Sequence, residues 1–493
     1  MDFDISNIPK FFYENFYLLI AVLSTSIILI VVYIGLIFPP AFWDSLMYHL
    51  VLPVEWMKAG KIFVPNAPEV GNLQASLFYP GNSELYFLWN MLPFHSDLIV
   101  DLSQLPFLIM GTLSCFSFSK ELGFGTKSSL FPSILFFFTP IILIQSRSTY
   151  TDLILTTFFL ISINFLLKFK DSKKFKFLIM SSIAAGLMLG VKYISLIYFI
   201  GIPLFWIFVN EEVSFKRTMR IMIIFLSIAL LFGGYWYARN LHHEGSLLAN
   251  FVISKDLPWF LQNNIISKNK QFIDYYDFGD YSEEFVSGNK WYLYPFTDGL
   301  TGKSNYTHLS GFGPQLITLL IPSFLLFFFF SIRNKKRLYL SVSFLVIMFF
   351  TLFFLLDLMN PRFVLPLYGI SCVSVAFIHS KLENRCILKF IVVLCILFSL
   401  IGTVFNLAPY EVFFLKYDSK GCFPEYLTYN STSMKVLGTS WCWLNGNTEK
   451  NTNIAYTNFN IPYYLYGNNF KNNINYINPN NYTSWRRKIQ WND

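Results

Sequence analysis

The sequence predicts an all-α polytopic membrane protein of about 11 transmembrane helices, with a small α+β extracytoplasmic domain at its C-terminal end. Three observations predict it. Hydrophobic residues make up 54% of the 493 positions and charged residues only 13%, against roughly 25% in soluble domains. Apolar runs of about 20 residues, the length that crosses a bilayer as a helix, recur through residues 1–406. The polar, Asn- and Tyr-rich stretch 407–493 then carries short strand-like pieces between turn signals, with too many aromatics for a disordered tail.

The first run has neither the basic region nor the cleavage site of a signal peptide, so it reads as a retained span at 15–38. Further spans are predicted at 98–119, 129–146, 151–168, 177–191, 193–210, 219–238, 314–332, 338–356, 362–379 and 387–406. The basic loops SKELGFGTKSS, KFKDSKKFK, EEVSFKRTMR, RNKKR and SKLENRCILK then all fall on one side, which the positive-inside rule makes cytoplasmic. The net charge of +8 is therefore a topology signal, and nucleic acid is excluded as a partner. The opposite side receives the outer loops 39–97 and 239–313, QSRSTYTD, DLMNPR and the 407–493 cap. The runs within 177–210 are short and glycine-interrupted, and predict partial helices meeting at Lys192, a residue that can also simply snorkel to the interface. Cys422 and Cys442 lie in the cap, either as a disulfide in an oxidising compartment or as two unrelated thiols.

Residues 42–61, FWDSLMYHLVLPVEWMKAGK, follow the first span. At about 100° per residue, Asp44, Tyr48 and Glu55 fall within roughly 40° of one another. Trp43, Leu46, Met47, Leu50, Val51, Val54 and Met57 cover the other arc. This predicts an amphipathic helix lying on the outer membrane surface, kinked at Pro53, that presents Asp44, Tyr48 and His49 to a cavity above the bilayer. A plain alternative is that Asp44 only caps the helix.

Other loops bring charge to the same side. Arg147 and Asp152 flank the turn before the fourth span, as a polar pocket or a structural ion pair. Arg239, Asn240, His242 and His243 close the seventh span, and Arg362 opens the tenth. Cations at the membrane surface can hold a phosphate whose lipid tail stays in the bilayer, and a nearby carboxylate can serve as general base or metal ligand. The adjacent His242 and His243 point about 100° apart on a helix, which argues against a shared metal. The motifs of soluble nucleotide-binding, zinc-protease and serine-hydrolase enzymes are lacking.

With these residues in place, the chain resembles the GT-C superfamily of integral-membrane glycosyltransferases. It looks most like bacterial relatives of the dolichyl-phosphate-mannose–protein mannosyltransferases and the lipid A aminoarabinose transferases. The likeness rests on WDSLMYHLVLPVEWMKAGKI, LFYPGNSELYFLWNMLPFHSDLIVDLSQLPF, SRSTYTDLILTTFF, AAGLMLGVKY, YWYARN, SGFGPQL and NPRFVLP, in that order over about residues 15–380. It implies transfer of a hexosyl or pentosyl group from a polyprenyl-phosphate donor to a glycolipid, glycan or protein acceptor. The setting it implies is the periplasmic face of a bacterial inner membrane, among membrane lipids. By the family pattern Asp44 is the catalytic carboxylate of an inverting reaction, supported by Asp152. Lys192, Arg239 and Arg362 bind the donor phosphate, and Tyr48, His49, Glu55, Arg147, Asn240 and His243 complete the substrate site. Where the family often has a second acidic residue after the first, this chain has Ser45, so a divalent metal stays an open alternative and no cofactor is certain. Two rival readings are an O-antigen ligase- or polymerase-like enzyme using a lipid-pyrophosphate donor, with His308 in its large loop, and a polytopic transporter or flippase.

Overall fold

A computed structural model of the protein describes residues 14–40, 42, 44–64, 77–209, 214–248, 311–332, 345, 361–382, 385–407, 440–441, 443–456 and 461–476. The predicted span 338–356 (Leu345 apart), most of loop 239–313 with His308, Trp43, Cys422 and Cys442 lie outside the described residues.

The fold is a helical bundle. α1 (Phe16–Ile37) buries Phe16, Ile20, Ile27, Val31 and Ile34 at helical spacing and turns Leu18, Leu29 and Tyr33 outward. It ends where Pro39 and Pro40 remove backbone donors. A π-helical turn (Ser45–His49) and α2 (Val51–Ala59) follow, then α3 (Asn82–Met91) and α4 (Leu105–Glu121). The predicted span 129–146 is two pieces, α5 (Thr126–Phe137) and α6 (Pro140–Gln145), because Thr139 is extended ahead of a proline that opens the next helix. α7 (Asp152–Ser172), α8 (Phe175–Leu189), α9 (Ser195–Val209) and α10 (Phe215–Glu244) come next. After α10 the described helices are α11 (Ile321–Ser331), α12 (Leu365–Cys372), α13 (Ser374–Lys381) and α14 (Arg385–Leu407).

Among the described residues, five helical stretches are long and apolar enough to cross a membrane: Phe16–Ile37, Val100–Glu121, Asp152–Ser172, Phe215–Glu244 and Pro361–Lys381. Four shorter apolar helices accompany them. The protein is an integral membrane protein.

α7 is the axis of the bundle, packed by α4, α8 and α12 and buried along most of its length. α8 and α10 cross so closely that the backbone carbonyl of Ala229 stands 2.3 Å from where a Cβ on Gly186 would sit. Gly233 meets the Gly186 carbonyl at the same separation, so only hydrogen fits at either position. Because α7 and α8 are antiparallel, this packing brings the start of α7 and the turn after α8 to one end of the bundle.

The segment 45–59 departs from its expected place. It does not lie apolar side down on a membrane surface: Leu46, Leu50, Val51, Val54 and Trp56 are buried in protein, and so are Tyr48 and His49. α3 packs on one side, and Trp56 stacks on Trp236 of α10 with ring centroids 6.0 Å apart. From the other side the C-terminal segment 461–476 folds over it. Lys58 donates to the carbonyls of Phe470 (3.0 Å) and Asn472 (2.7 Å), and Tyr464 donates to the Pro40 carbonyl. Lipid and protein both remove an apolar side chain from water, so close packing and the Lys58 and Tyr464 hydrogen bonds, not hydrophobicity, favour the protein neighbour.

In that C-terminal segment β1 (Asn453–Tyr456) and β2 (Asn473–Tyr476) form a two-stranded parallel sheet, pairing Asn453 with Asn473 through Tyr456 with Tyr476. Ile461, Tyr463, Leu465, Tyr466 and Phe470 join the same hydrophobic core as the bundle helices.

Candidate active site

Asp44 stands at the N-cap position of the π-turn, yet its carboxylate caps nothing. It accepts a hydrogen bond from Arg362, with Nη1 2.5 Å from Oδ2. Burial alone would push the Asp44 carboxyl up, but Arg362 first and Lys192 second outweigh it and hold it at about 2. Burial first, and the Asp44 carboxylate second, push the phenols of Tyr48 and Tyr150 well above their ordinary value, so both stay neutral donors.

Asp152 is the first residue of α7, where the helix dipole favours an anion. Lys192 lies in the turn between α8 and α9, with Nζ 3.7 Å from Asp152 Oδ1. That is an ion pair without a hydrogen bond, and both carboxylate oxygens of Asp152 are buried with no hydrogen-bond partner among the described residues. Burial pulls the Lys192 ammonium below its ordinary value against the opposing pull of Asp152. The Phe363 ring joins the two pairs, since Lys192 lies 5.2 Å and Arg362 5.0 Å from its centroid. Arg362 also sits 5.1 Å over Tyr150. Two carboxylates and two cations thus close on one another at one end of the bundle. Buried ion pairs return little net stability, because desolvation offsets their attraction. They do leave two cations that a dianionic ligand could draw away from the carboxylates.

Not every expected residue joins this cluster. Arg239 directs Nε and Nη2 to Asn240 Oδ1, at 3.1 and 2.9 Å, and approaches the carbonyls of Leu77 and Tyr79. Asn240 donates to the Phe78 carbonyl (2.8 Å) and to the Tyr193 hydroxyl (2.7 Å). These two residues fasten the 77–79 turn, behind the Tyr79–Tyr193 ring contact, to the end of α10. His243 is exposed at the end of α10, its ring beside that of His242. Glu55 is also elsewhere. It accepts a hydrogen bond from Tyr466, because the π-turn advances the chain by a wider turn than an α-helix and breaks the register with Asp44. Arg147 is buried in the turn before α7, within electrostatic range of Asp101.

Three residues here were not singled out from the sequence. Glu84 binds His49, with Oε1 2.5 Å from Nδ1. Tyr150 bridges by ring contact between His49, Phe42 and Arg362. Asp101 is buried with neither carboxylate oxygen hydrogen-bonded among the described residues. The signal for Glu84 was available, as the lone charge in an otherwise uncharged helix, NSELYFLWNM.

Among the described residues the donor set does not fit a divalent cation. Asp44 and Asp152 are each engaged by a cationic side chain, and among the described residues no three of His, Cys, Asp and Glu converge.

Residues 102–237 match the model of the dolichyl-phosphate-mannose-protein mannosyltransferase family. The whole fold is similar to ArnT from Cupriavidus metallidurans bound to undecaprenyl phosphate, at TM-score 0.57 and 11% identity over 93% of this chain and 86% of that one. The apo form of the same protein matches at 0.54 and 9% identity over 91% and 84%. The Archaeoglobus fulgidus oligosaccharyltransferase in complex with Zn and sulfate matches at 0.53 and 11% identity, over 91% of this chain and 62% of that one. No curated protein matches by sequence. At these identities the likeness is one of fold, and that fold is the GT-C type.

Proposed function

From a chain with the GT-C glycosyltransferase fold, we infer an enzyme that moves a sugar from a polyprenyl-phosphate donor to an acceptor hydroxyl on the extracytoplasmic face, with inversion. The observation that carries this reading is the closed quartet of Asp44, Arg362, Asp152 and Lys192 at one end of an apolar bundle. A lipid phosphate entering there would meet two cations already gathered on Phe363, while its tail stayed among the helices. Recruiting Arg362 to the phosphate would release Asp44 to hold the acceptor hydroxyl as general base. Attack on the anomeric carbon from the face opposite the phosphate then forms the new glycosidic bond. The carbon–oxygen bond to the phosphate breaks, and its electron pair stays with the polyprenyl phosphate, steadied by Lys192 and Arg362. Asp152 keeps Lys192 in place between turnovers. Arg239 supports the wall of the site rather than the phosphate. The segment 440–476 belongs to a cap that screens the acceptor, a glycolipid, glycan or protein.

The test uses full-length protein in nanodiscs. It should bind undecaprenyl phosphate in preference to undecaprenyl pyrophosphate and release labelled sugar from a panel of polyprenyl-monophosphate sugars. Preference for the pyrophosphate would favour a ligase-like enzyme, and absence of either lipid's binding would remove the reading. Glycolipids and glycoproteins missing from a deletion strain would identify the acceptor.

A further inference from the structure

One buried ionisable pair has no part in that scheme. His49 and Glu84 are joined at 2.5 Å with side chains only 2% and 3% exposed. We propose, building on the glycosyl-transfer reading, that His49, oriented by Glu84, takes over the acceptor's proton from the Asp44 site, with the imidazole as its resting place during transfer.

The π-turn makes this arrangement. Its wide hydrogen bond runs from the Leu50 N–H to the Ser45 carbonyl at 3.0 Å, so position 50 closes on position 45, and His49 inside the turn is rotated from its α-helical place relative to Asp44. In an α-helix five residues would leave His49 about 140° away from Asp44. π-turns interrupt helices at a cost in backbone geometry and concentrate at functional sites.

Glu84 then sets the tautomer. A carboxylate only accepts, so Nδ1 carries the proton and Nε2 is left with a bare lone pair. That Nε2 is buried and has no hydrogen-bond partner among the described residues. A buried acceptor without a partner is destabilising, so the arrangement is not one that stability alone would favour. The ring lies in the same cluster as the quartet. It packs on Tyr48 at 4.0 Å and on Tyr150 at 6.5 Å, and Tyr150 carries the Arg362 guanidinium that binds Asp44. Asp44 alone is a poor place for a proton to stay, since its cationic neighbours favour the carboxylate.

The step balances. The acceptor oxygen bonds to the anomeric carbon as that carbon's bond to the phosphate oxygen breaks, and the electron pair leaves with the polyprenyl phosphate. The acceptor's proton crosses the Asp44 carboxylate to Nε2, giving an imidazolium whose charge Glu84 balances. The proton goes to water before the next turnover.

The experiment measures turnover, donor KM and undecaprenyl phosphate binding in full-length protein in nanodiscs. Polyprenyl-monophosphate sugars serve as donor and the glycolipid fraction of a deletion strain as acceptor. His49→Gln should lower kcat about 100-fold while donor KM and lipid binding stay unchanged. Glu84→Gln, which keeps the buried shape, should lower kcat by about tenfold and serves where His49→Gln fails to fold. In ¹⁵N spectra of histidine-labelled protein the His49 resonance should report a protonated Nδ1 and a bare Nε2, and Glu84→Leu should mix the tautomers. Wild-type turnover in either variant that folds, or a protonated Nε2 in the resting enzyme, overturns the proposal while leaving the glycosyl-transfer reading intact. A wild type that neither binds undecaprenyl phosphate nor transfers sugar overturns both.

Discussion

Arg362 reaches Asp44 across 318 positions of sequence, with Nη1 2.5 Å from the carboxylate oxygen. The contact joins the loop after the first helix to the short turn that opens α12. It places a candidate base and a candidate phosphate ligand on each other, so under the proposed function binding of the phosphate and release of the base would be one event.

Asp44→Asn should therefore separate binding from chemistry. The amide keeps the shape but cannot take a proton, and it loosens Arg362. Turnover should fall by at least about 100-fold, while undecaprenyl phosphate binding is retained or tightened. Transfer assays beside lipid-binding isotherms check this, and unchanged turnover would end the assignment of Asp44.

Lys192→Ala and Arg362→Ala should raise the apparent donor KM by about tenfold or more, as charge-assisted phosphate contacts are lost. Arg239→Ala should behave differently. Its donors serve Asn240 and the 77–79 carbonyls, so the expected effect is a lower melting temperature with donor KM changed little. A donor KM defect of equal size in all three would return Arg239 to the phosphate site.

The pH dependence of stability has a defined sign. The Asp44 carboxyl is held at about 2, below its ordinary 3.8, so its contribution is fully present above about pH 4 and is lost as pH falls toward 2. The stabilisation is on the order of 2 kcal/mol. The difference in melting temperature between wild type and Asp44→Asn should be constant from pH 7 to 4 and shrink below that. A difference that grows on acidification contradicts it.

Gly186→Val or Gly233→Val should part α8 from α10, since each added side chain would collide with backbone rather than with a movable side chain. A cost of about 1–3 kcal/mol or more is expected, read as a lower melting temperature in detergent. Lys192 would shift with the end of α8, so donor affinity should fall in the same variants.

Tyr466→Phe removes the hydrogen bond to Glu55 that helps hold the C-terminal segment over α2. The expected loss is about 1–2 kcal/mol, seen as faster proteolysis of the C-terminal segment. Undecaprenyl phosphate binding should be unchanged, because Glu55 stands apart from the quartet.

The helices were largely legible in the sequence, and so was the gathering of charge at one end of the bundle. Apolar length and loop charge are local properties that a bilayer imposes on each segment separately. Asp44, Asp152, Lys192 and Arg362 could be placed on one side by counting spans alone. Glu55 and His243 could not be assigned this way. One depended on a π-turn that breaks helical register, and the other on the exposure of the last turn of α10.

By itself, the sequence determined a membrane-embedded helical protein with acidic and basic residues alternating into one face. Only the tertiary structure decided which of those charges meet. Pairing depends on the close crossing of α8 and α10 at Gly186 and Gly233, and on the turn that brings Phe363 between Lys192 and Arg362. It likewise decided that segment 45–59 is enclosed by protein rather than spread on lipid. An apolar arc is equally consistent with either neighbour, and only packing from the C-terminal segment and α3 selects one.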